Sequence, residues 1–264
     1  NYKASNTSEF KTQNTNSEVS GVIALITKLG LYKNDLLSKN IYSLTPKVSL
    51  RFAPGHMRDI DQGANSLKYS NLFNLTKLNE IDVIENGLST AIGFNFKKNE
   101  IKSSKSIGKE KLSFSLGQVI NDRENSDMPS NTSLDQRFSD VVGESSFSMN
   151  DSLKLKYNFS VDQNYREFNY NEVGAEFTNN RTKFNISYLE ESNHVGNQEY
   201  VKSDINVELN SSNALNFSTK RNLLTNSAEF YNLSYNYIND CLKAGIAYRR
   251  EFYTDRDVEP NNSL

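Results

Sequence analysis

Few side chains in this sequence could carry covalent or metal chemistry. Cys241 is the only cysteine. The histidines, His56 and His194, are far apart, and neither has a second His or a Cys at the spacing of a metal site. Both are interpreted as surface residues. Glu190 and Glu191 are adjacent, so on a strand they face opposite ways, and we interpret them as solvated loop charge rather than an acid–base pair.

The sequence motifs that mark common enzyme classes are absent. There is no GxSxG, no HExxH and no Gly-rich phosphate loop. The sequence therefore predicts no enzymatic activity and no cofactor. The 30 basic and 32 acidic side chains are spread along the chain and leave a net charge of -2. Without a basic patch, nucleic acid is not an expected partner.

The composition favours strands that are apolar on only one of their two faces. Only 36% of the residues are hydrophobic, against roughly 45–50% in a typical globular domain. Aromatic residues reach 11%, all of them Tyr and Phe, whereas disordered chains are poor in aromatic residues. No apolar run approaches the roughly 20 residues of a membrane helix.

From Asp82 onward, apolar and polar residues alternate with a period of two, the period at which strand side chains change faces. The apolar set is predicted to face lipid: Ile84, Leu88, Ile92, Phe94, Leu153, Leu155, Tyr157, Phe159, Phe184, Ile186, Ile205, Val207, Leu215, Phe217, Leu233, Tyr235 and Ile246. The polar set is predicted to line a lumen: Glu85, Ser89, Asn95, Ser113, Ser115, Lys154, Lys156, Asn158, Asn185, Ser187, Asn206, Asn216, Ser218, Asn232, Ser234, Asn236 and Lys243.

Strand and connection lengths favour an antiparallel transmembrane β-barrel of the outer-membrane type. The strands are predicted at about 9–12 residues, close to what a tilted strand needs to cross a bilayer. Tight turns near residues 150, 179, 211 and 239 alternate with longer links at residues 121–138, 192–199, 222–226 and 253–260. Barrels have short periplasmic turns and longer outer loops. A porin or sugar channel and a soluble β-sandwich remain alternatives.

Domain organisation follows from the same pattern. Residues 1–17 are predicted to be a loop or irregular segment, and residues 18–264 to form about thirteen strands of a larger barrel with a truncated closing strand. The chain opens on NYKASNTSEF, without an initiator Met or a signal peptide. We therefore interpret it as an internal piece of a longer protein.

Several segments, taken in order, resemble the C-terminal barrel region of the LptD family of LPS-assembly proteins, particularly its alphaproteobacterial forms. They are LTPKVSLRFAP (Leu44 to Pro54), NLFNLTKLNEIDVIENGLSTAIGFNF (Asn71 to Phe96), SLGQVI (Ser115 to Ile120), SDVVGE (Ser139 to Glu144) and YNYINDCLKAGIAYRREFYTDRDVEPNNSL at the end. The chain departs from the family in having Lys77 where an Arg is usual.

The resemblance implies a function in the bacterial outer membrane. The family inserts lipopolysaccharide into the outer leaflet through a barrel with a polar lumen and a lateral gate. The implied partners are lipopolysaccharide, outer-membrane lipids, an LptE-like plug lipoprotein, and a periplasmic bridge that delivers lipid through an N-terminal domain.

Cys241 gains a possible role from this resemblance. The short turn at Asn239 and Asp240 places it at the periplasmic rim, and the periplasm is oxidising. In the LptD family, disulfides join this region to the N-terminal periplasmic part, so Cys241 is a disulfide candidate whose partner lies outside the chain. A small interfacial cysteine without a partner remains the alternative.

Overall fold

The computed structural model describes residues 21–35, 37–55, 66–78, 84–103, 106–252 and 262–263. Within these ranges the chain forms one antiparallel β-sheet, with a single 3-10 turn at Ser130–Thr132 and no other helix. The prediction of an all-β antiparallel fold is confirmed. The strands are β1 (Ile23–Lys28), β2 (Leu31–Asp35), β3 (Asn40–Ala53), β4 (Gly87–Ser103), β5 (Ser106–Asn121), β6 (Val141–Ser148), β7 (Leu153–Val161), β8 (Phe168–Asn179), β9 (Thr182–Glu191), β10 (Gln198–Asn210), β11 (Asn213–Asn222), β12 (Ser227–Ile238), β13 (Lys243–Glu251) and β14 (Asn262–Ser263).

β1 and β2 are two halves of one interrupted strand, because both pair with β3 in one continuous register. Lys28 lies opposite Lys47 and Leu31 opposite Leu44, so the break falls opposite Pro46. The Leu29 N–H donates to the Pro46 carbonyl at 3.1 Å, but proline has no N–H with which to complete the pair. Counting β1 and β2 together leaves thirteen strands in the described residues, as predicted.

The sheet is a meander in which each strand from β3 onward pairs with the next one along the chain. β1 and β14 lie at its two ends and do not pair with each other in the described ranges. The sheet is therefore open, which is consistent with the predicted partial barrel. A β-sandwich would need two packed sheets, whereas the described strands belong to one.

The predicted strand length of about 9–12 residues holds to within one residue from β6 to β13 but is wrong for three neighbouring strands. β3, β4 and β5 have 14, 17 and 16 residues. The sequence concealed this because the last part of β4, from Lys97 to Ser103, lacks the apolar alternation. The alternation also predicted that β4 starts near Asp82, but the strand begins at Gly87, after a stretch that contacts other loops.

Connections separate the two ends of the sheet. The turns 149–152, 180–181, 211–212 and 239–242 lie at one end, here called the short-turn end. At the other, the long-loop end, lie the connections 122–140, 162–167, 192–197 and 223–226 and the described residues between β3 and β4, which are 54–55, 66–78 and 84–86. The link at 223–226 was predicted to be long but has four residues, as many as the turn at 239–242.

A small apolar core lies on one face of the sheet near the long-loop end. It joins three parts of the chain: residues 66–78, here called the inner segment; the connection 122–140; and the long-loop ends of β4 to β6. Its buried members are Leu67, Tyr69, Leu72, Leu78, Ala91, Val119, Met128, Leu134 and Val142, with Phe73 packed against them. In the described ranges no helix is long and apolar enough to cross a membrane.

Candidate functional site

Strand pairing brings the polar set of the sequence together on one face, here called the polar face. Residues paired across an antiparallel sheet share a face, and the pairs Asn95 with Ser115 and Asn206 with Asn216 are two examples. All members of the set from Ser89 to Lys243 follow this register. Glu85 precedes β4 and lies outside the ladder.

The polar face is a hydrogen-bonded surface with balanced charge. Asn95 donates to the Ser115 hydroxyl at 2.8 Å, and Asn158 donates to the Glu172 carboxylate at 2.9 Å. Similar contacts, made across neighbouring strands, join Ser113 with Ser146, Lys156 with Glu176, Asn216 with Ser234, and Asn232 with Ser218. Between β9 and β12 they line a groove of about 440 Å³.

The apolar set lies on the opposite face, here called the apolar face, by the same register. Ile84 is outside the ladder because it precedes β4. Leu88, Ile92 and Ile246 have 39%, 47% and 69% of their surface exposed. An apolar surface that runs across a whole sheet marks a face that something other than water covers.

A buried ion pair fixes the inner segment to the chain just before β4. Lys77 Nζ lies 3.3 Å from Glu85 Oε2, and their side chains are only 3% and 5% exposed. Glu85 also accepts hydrogen bonds from the backbone N–H groups of Lys77 and Leu78. Burial lowers the pKa of Lys77, and the Glu85 carboxylate opposes that change. The carboxylate therefore favours the charged form of Lys77.

Arg51 forms a second attachment. Its Nε donates to the Leu75 carbonyl at 2.6 Å, and its terminal nitrogen donates to the Glu85 carbonyl at 2.7 Å. Asn71 closes the inner segment on itself by donating to the carbonyls of Ser66 and Lys77. These bonds draw the chain before Gly87 away from the ladder, which explains the late start of β4.

Gly117 leaves the space into which the inner segment packs. A Cβ at this position would lie 2.3 Å from Leu72 Cδ2 and 2.9 Å from the Ile92 carbonyl oxygen. Replacing Gly117 with alanine should destabilise the packing by about 1–3 kcal/mol, because Leu72 is fully buried and has no room to move away. The measurement is the apparent unfolding temperature of the full-length protein in detergent.

Gly174 provides the control for that substitution. A Cβ there would be 3.6 Å from its nearest neighbour, which is an ordinary contact. Gly174→Ala should leave the unfolding temperature close to that of the unmodified protein. Equal effects of the two substitutions would contradict the packing of Leu72 on Gly117.

Asp140 is the centre of a buried polar cluster at the long-loop end. Its side chain is 4% exposed, and Oδ2 accepts from the Ser160 hydroxyl at 2.7 Å and from the Asn169 amide at 2.9 Å. His194 Nε2 lies 3.0 Å from the same oxygen, with 21% of its side chain exposed. The interpretation of His194 as a plain surface residue is therefore wrong. The cluster joins the connections 122–140 and 192–197 to β7 and β8.

Protonation of His194 strengthens this link. The contact with Asp140 raises the pKa of His194, the Asp135 and Asp162 charges act in the same direction, and burial opposes them. A raised pKa means that the contribution to stability is complete below about pH 6.5, the ordinary histidine value. It is lost as the pH rises through the higher pKa of the folded state.

Amide hydrogen exchange should show this pH dependence. Protection factors of residues 192–197, corrected for intrinsic exchange, should be larger at pH 6 than at pH 9. A His194→Gln variant should lose the difference, since glutamine does not titrate. The turn at 211–212, which lies at the opposite end of the sheet, should show no change in either protein. A pH dependence that survives in His194→Gln would contradict the assignment.

Cys241 lies at the short-turn end, in the turn 239–242. Its side chain is exposed, and the Asn239 side-chain oxygen accepts the N–H groups of Cys241 and Leu242. The turn is therefore fixed by its own asparagine, without any contribution from the sulfur. His56 lies outside the described residues, and Glu190 and Glu191 face opposite sides of β9, as predicted. The described residues contain no cluster able to hold a metal ion.

Sequence patterns did not point to Arg51, Asp140 or Asn169 as structural centres. Their partners come from distant parts of the chain, so no local spacing marks them. One signal was available: Val119 and Val142 interrupt the polar alternation of β5 and β6, and both are fully buried under the connection 122–140 or the inner segment. Apolar residues at polar-face positions mark where a loop covers the sheet.

The sequence matches one known protein family. The family model described as "LptD: LPS transport system D" matches residues 2–214, most of the chain. The chain belongs to the LptD family. A comparison with curated proteins found no match. LptD is a transport and assembly family, and its members are not classed as enzymes.

Solved structures similar to this LptD-family chain include a bacterial porin and a protein named OccAB4. A mutant porin of Rhodopseudomonas blastica has 9% identity and a TM-score of 0.41, over 88% of this chain and 86% of the porin. The Acinetobacter baumannii protein OccAB4 has 11% identity and a TM-score of 0.33, over 92% of this chain and 78% of its own. At such TM-scores neither likeness carries a functional argument.

Proposed function

We propose that this protein inserts lipopolysaccharide into the outer leaflet of the bacterial outer membrane. It would do so as one part of the wall of a β-barrel, with the polar face lining the lumen and the apolar face in contact with lipid. The short-turn end would face the periplasm. Membership of a lipopolysaccharide-transport family is the observation that carries this proposal, and the separation of the sheet into two faces supports it.

The two faces would contact different parts of the lipid because their chemistry differs. Sugars need hydrogen-bonding partners, and the Asn and Ser side chains of the polar face provide them. These side chains are uncharged, so they create no strong electrostatic field of either sign. Acyl chains need an apolar surface, which the other face provides. An LptE-like plug lipoprotein would occupy part of the lumen, and a periplasmic bridge would deliver the lipid. No covalent reaction is part of this mechanism.

Depletion of the full-length protein in its host tests the proposal. Newly made lipopolysaccharide should accumulate in the inner membrane, because its route to the outer leaflet is lost. Reconstituted with its plug, the full-length protein should conduct few ions. A porin would give the opposite pair of results, with normal surface lipopolysaccharide and a large conductance, and those results would overturn the proposal.

Cys241 is proposed to form a disulfide with a periplasmic part of the full-length protein. Its exposed side chain at the short-turn end is accessible to such a partner, and the periplasm is oxidising. Reduction should change the electrophoretic mobility of the unmodified protein. A Cys241→Ser variant should lack the reducible link made by this sulfur, which peptide mass mapping would detect. A free thiol at Cys241 in the unmodified protein would contradict the pairing.

A further inference from the structure

A basic groove on the polar face suggests a more specific role within this proposed function. The groove has a volume of about 450 Å³ and lies over β1 to β4. It is lined by Lys28, Gly30, Tyr32, Thr45, Lys47, Asn95 and Lys97. Three of these seven residues are lysines and none is acidic. The rest of the polar face has balanced charge, so this composition requires a reason.

Lys28 and Lys47 lie directly opposite each other on neighbouring strands. Like charges in this arrangement repel and destabilise a sheet. Within the described residues no carboxylate lies within ion-pair distance of either ammonium group. Some other lysines of the polar face do have such a partner, as Lys156 has Glu176 and Lys220 has Glu229. The pair is therefore suited to an anion that comes from outside the described chain.

The inner segment holds one of these ammonium groups in place. Lys47 Nζ lies 5.6 Å from the centre of the Tyr69 ring and 5.4 Å from that of Phe73. Cation–π contacts of this kind orient an ammonium group without neutralising its charge. The charge therefore remains available to a ligand in the groove, and the flexible lysine stem is partly fixed before any ligand binds.

The remaining lining residues suit a sugar. The Tyr32 ring lies over Gly30, where a Cβ would come within 3.0 Å of the ring, and 74% of the tyrosine surface is exposed. An exposed ring beside polar groups can contact the apolar side of a sugar ring, while its hydroxyl stays in water. Thr45 and Asn95 share the face between the two ends of the groove and offer hydrogen bonds.

Lys97 lies at the opposite end of the groove from Lys47. The two residues are four positions apart along the strands and one strand apart across them, so their Cα atoms are separated by about 14 Å from strand geometry alone. Lys97 also contacts Glu110 at 2.9 Å, and its charge is partly balanced. The stronger anion site is therefore at Lys28 and Lys47.

We propose that Lys28 and Lys47 bind the anionic groups of a charged oligosaccharide, phosphate or carboxylate, while Tyr32, Thr45 and Asn95 contact its sugar rings. The inference rests on the proposed function, since it assigns a subsite to the sugar part of the transported lipid. It predicts recognition of the charge on the sugar rather than of sugar alone.

Binding to the full-length protein, purified with its plug, tests this subsite. The probe is the oligosaccharide released from lipopolysaccharide by removal of its acyl chains, with its phosphates intact. The double variant Lys28→Gln with Lys47→Gln should raise the Kd by about tenfold, because it removes two charge-assisted contacts. The phosphates of the probe can be removed enzymatically, or its carboxyl groups reduced. Whichever treatment abolishes the difference in Kd between the unmodified protein and the double variant identifies the group that is bound.

The matched control replaces two lysines on the apolar face of the same strands, Lys33→Gln with Lys98→Gln. Both are paired with Tyr42 there, and their loss should leave the Kd unchanged. The unfolding temperature of the Lys28 and Lys47 variant should change little, since removal of a repulsive pair offsets the loss of the Lys47 contacts with Tyr69 and Phe73. Destabilisation would show a structural role and would overturn the proposal.

The outcomes separate this inference from the proposed function. An unchanged Kd in the Lys28 and Lys47 double variant, or an equal loss in the control, would overturn the subsite even if the unmodified protein exports lipopolysaccharide normally. Loss of the plug lipoprotein from the double variant, with oligosaccharide binding intact, would assign the lysines to a protein partner and would also overturn it. Failure of depletion to block export would overturn the proposed function itself.

Discussion

Replacing Glu85 with glutamine should loosen the inner segment, because it breaks the buried ion pair that joins this segment to the chain just before β4. Glutamine keeps an oxygen for the backbone N–H groups of Lys77 and Leu78 but removes the charge that balances the Lys77 ammonium. Breaking a buried ion pair by changing one partner costs about 3–5 kcal/mol. The inner segment contains Lys68 and Lys77, so trypsin should cleave it rapidly in the variant and slowly in the unmodified full-length protein.

Glu110→Gln is the matched control, because it makes the same chemical change in an exposed pair. Glu110 contacts Lys97, and their side chains are 28% and 43% exposed. Exposed pairs contribute about 0–1 kcal/mol, so the tryptic pattern of residues 66–78 should not change. Equal cleavage in Glu85→Gln and in the unmodified protein would show that the ion pair does not hold the segment.

Replacing Asp140 with alanine should loosen two connections at the long-loop end at once. The carboxylate accepts from Ser160 and Asn169 and contacts His194. Each buried donor left without an acceptor costs about 1–3 kcal/mol, so the total loss should be about 3 kcal/mol or more. Amide exchange should accelerate in residues 122–140 and 192–197, and the unfolding temperature should fall.

Two comparison variants define this effect. Asp140→Asn keeps one acceptor oxygen and should lose less stability than alanine. Asp204→Ala removes a carboxylate whose contact with Lys202 is solvent-exposed, and it should change stability little. If Asp140→Ala and Asp204→Ala behaved alike, the cluster around Asp140 would have no stabilising role.

The two faces of the sheet could be predicted from sequence because strand side chains alternate with a period of two. Antiparallel pairing preserves this alternation from strand to strand. The two faces of β7, β9 and β11 could therefore be predicted without knowing which strands lie beside them. The turn at Cys241 could also be predicted from sequence, since Asn239 fixes it through hydrogen bonds to residues two and three positions away. Local rules were enough in both cases.

The covering of the polar face could not be predicted in this way. The inner segment has no regular period, and its position depends on Arg51, Glu85 and Gly117, which belong to other parts of the chain. The interruption between β1 and β2 has a similar origin, because its cause is a proline on the neighbouring strand. The domain boundary at residue 17 lies outside the described residues, and the extent of the barrel to residue 264 stays a prediction.

The central claim is that the polar face meets water and the apolar face meets lipid. Asn216 and Phe217 are adjacent in β11 and lie on opposite faces. Each can be replaced by cysteine in full-length protein lacking other reactive thiols, labelled with a fluorophore and reconstituted in bilayers. Quenching by aqueous iodide should affect the label at 216, and quenching by spin-labelled lipid should affect the label at 217. Quenching of both labels by iodide, with neither sensitive to lipid, would contradict the claim.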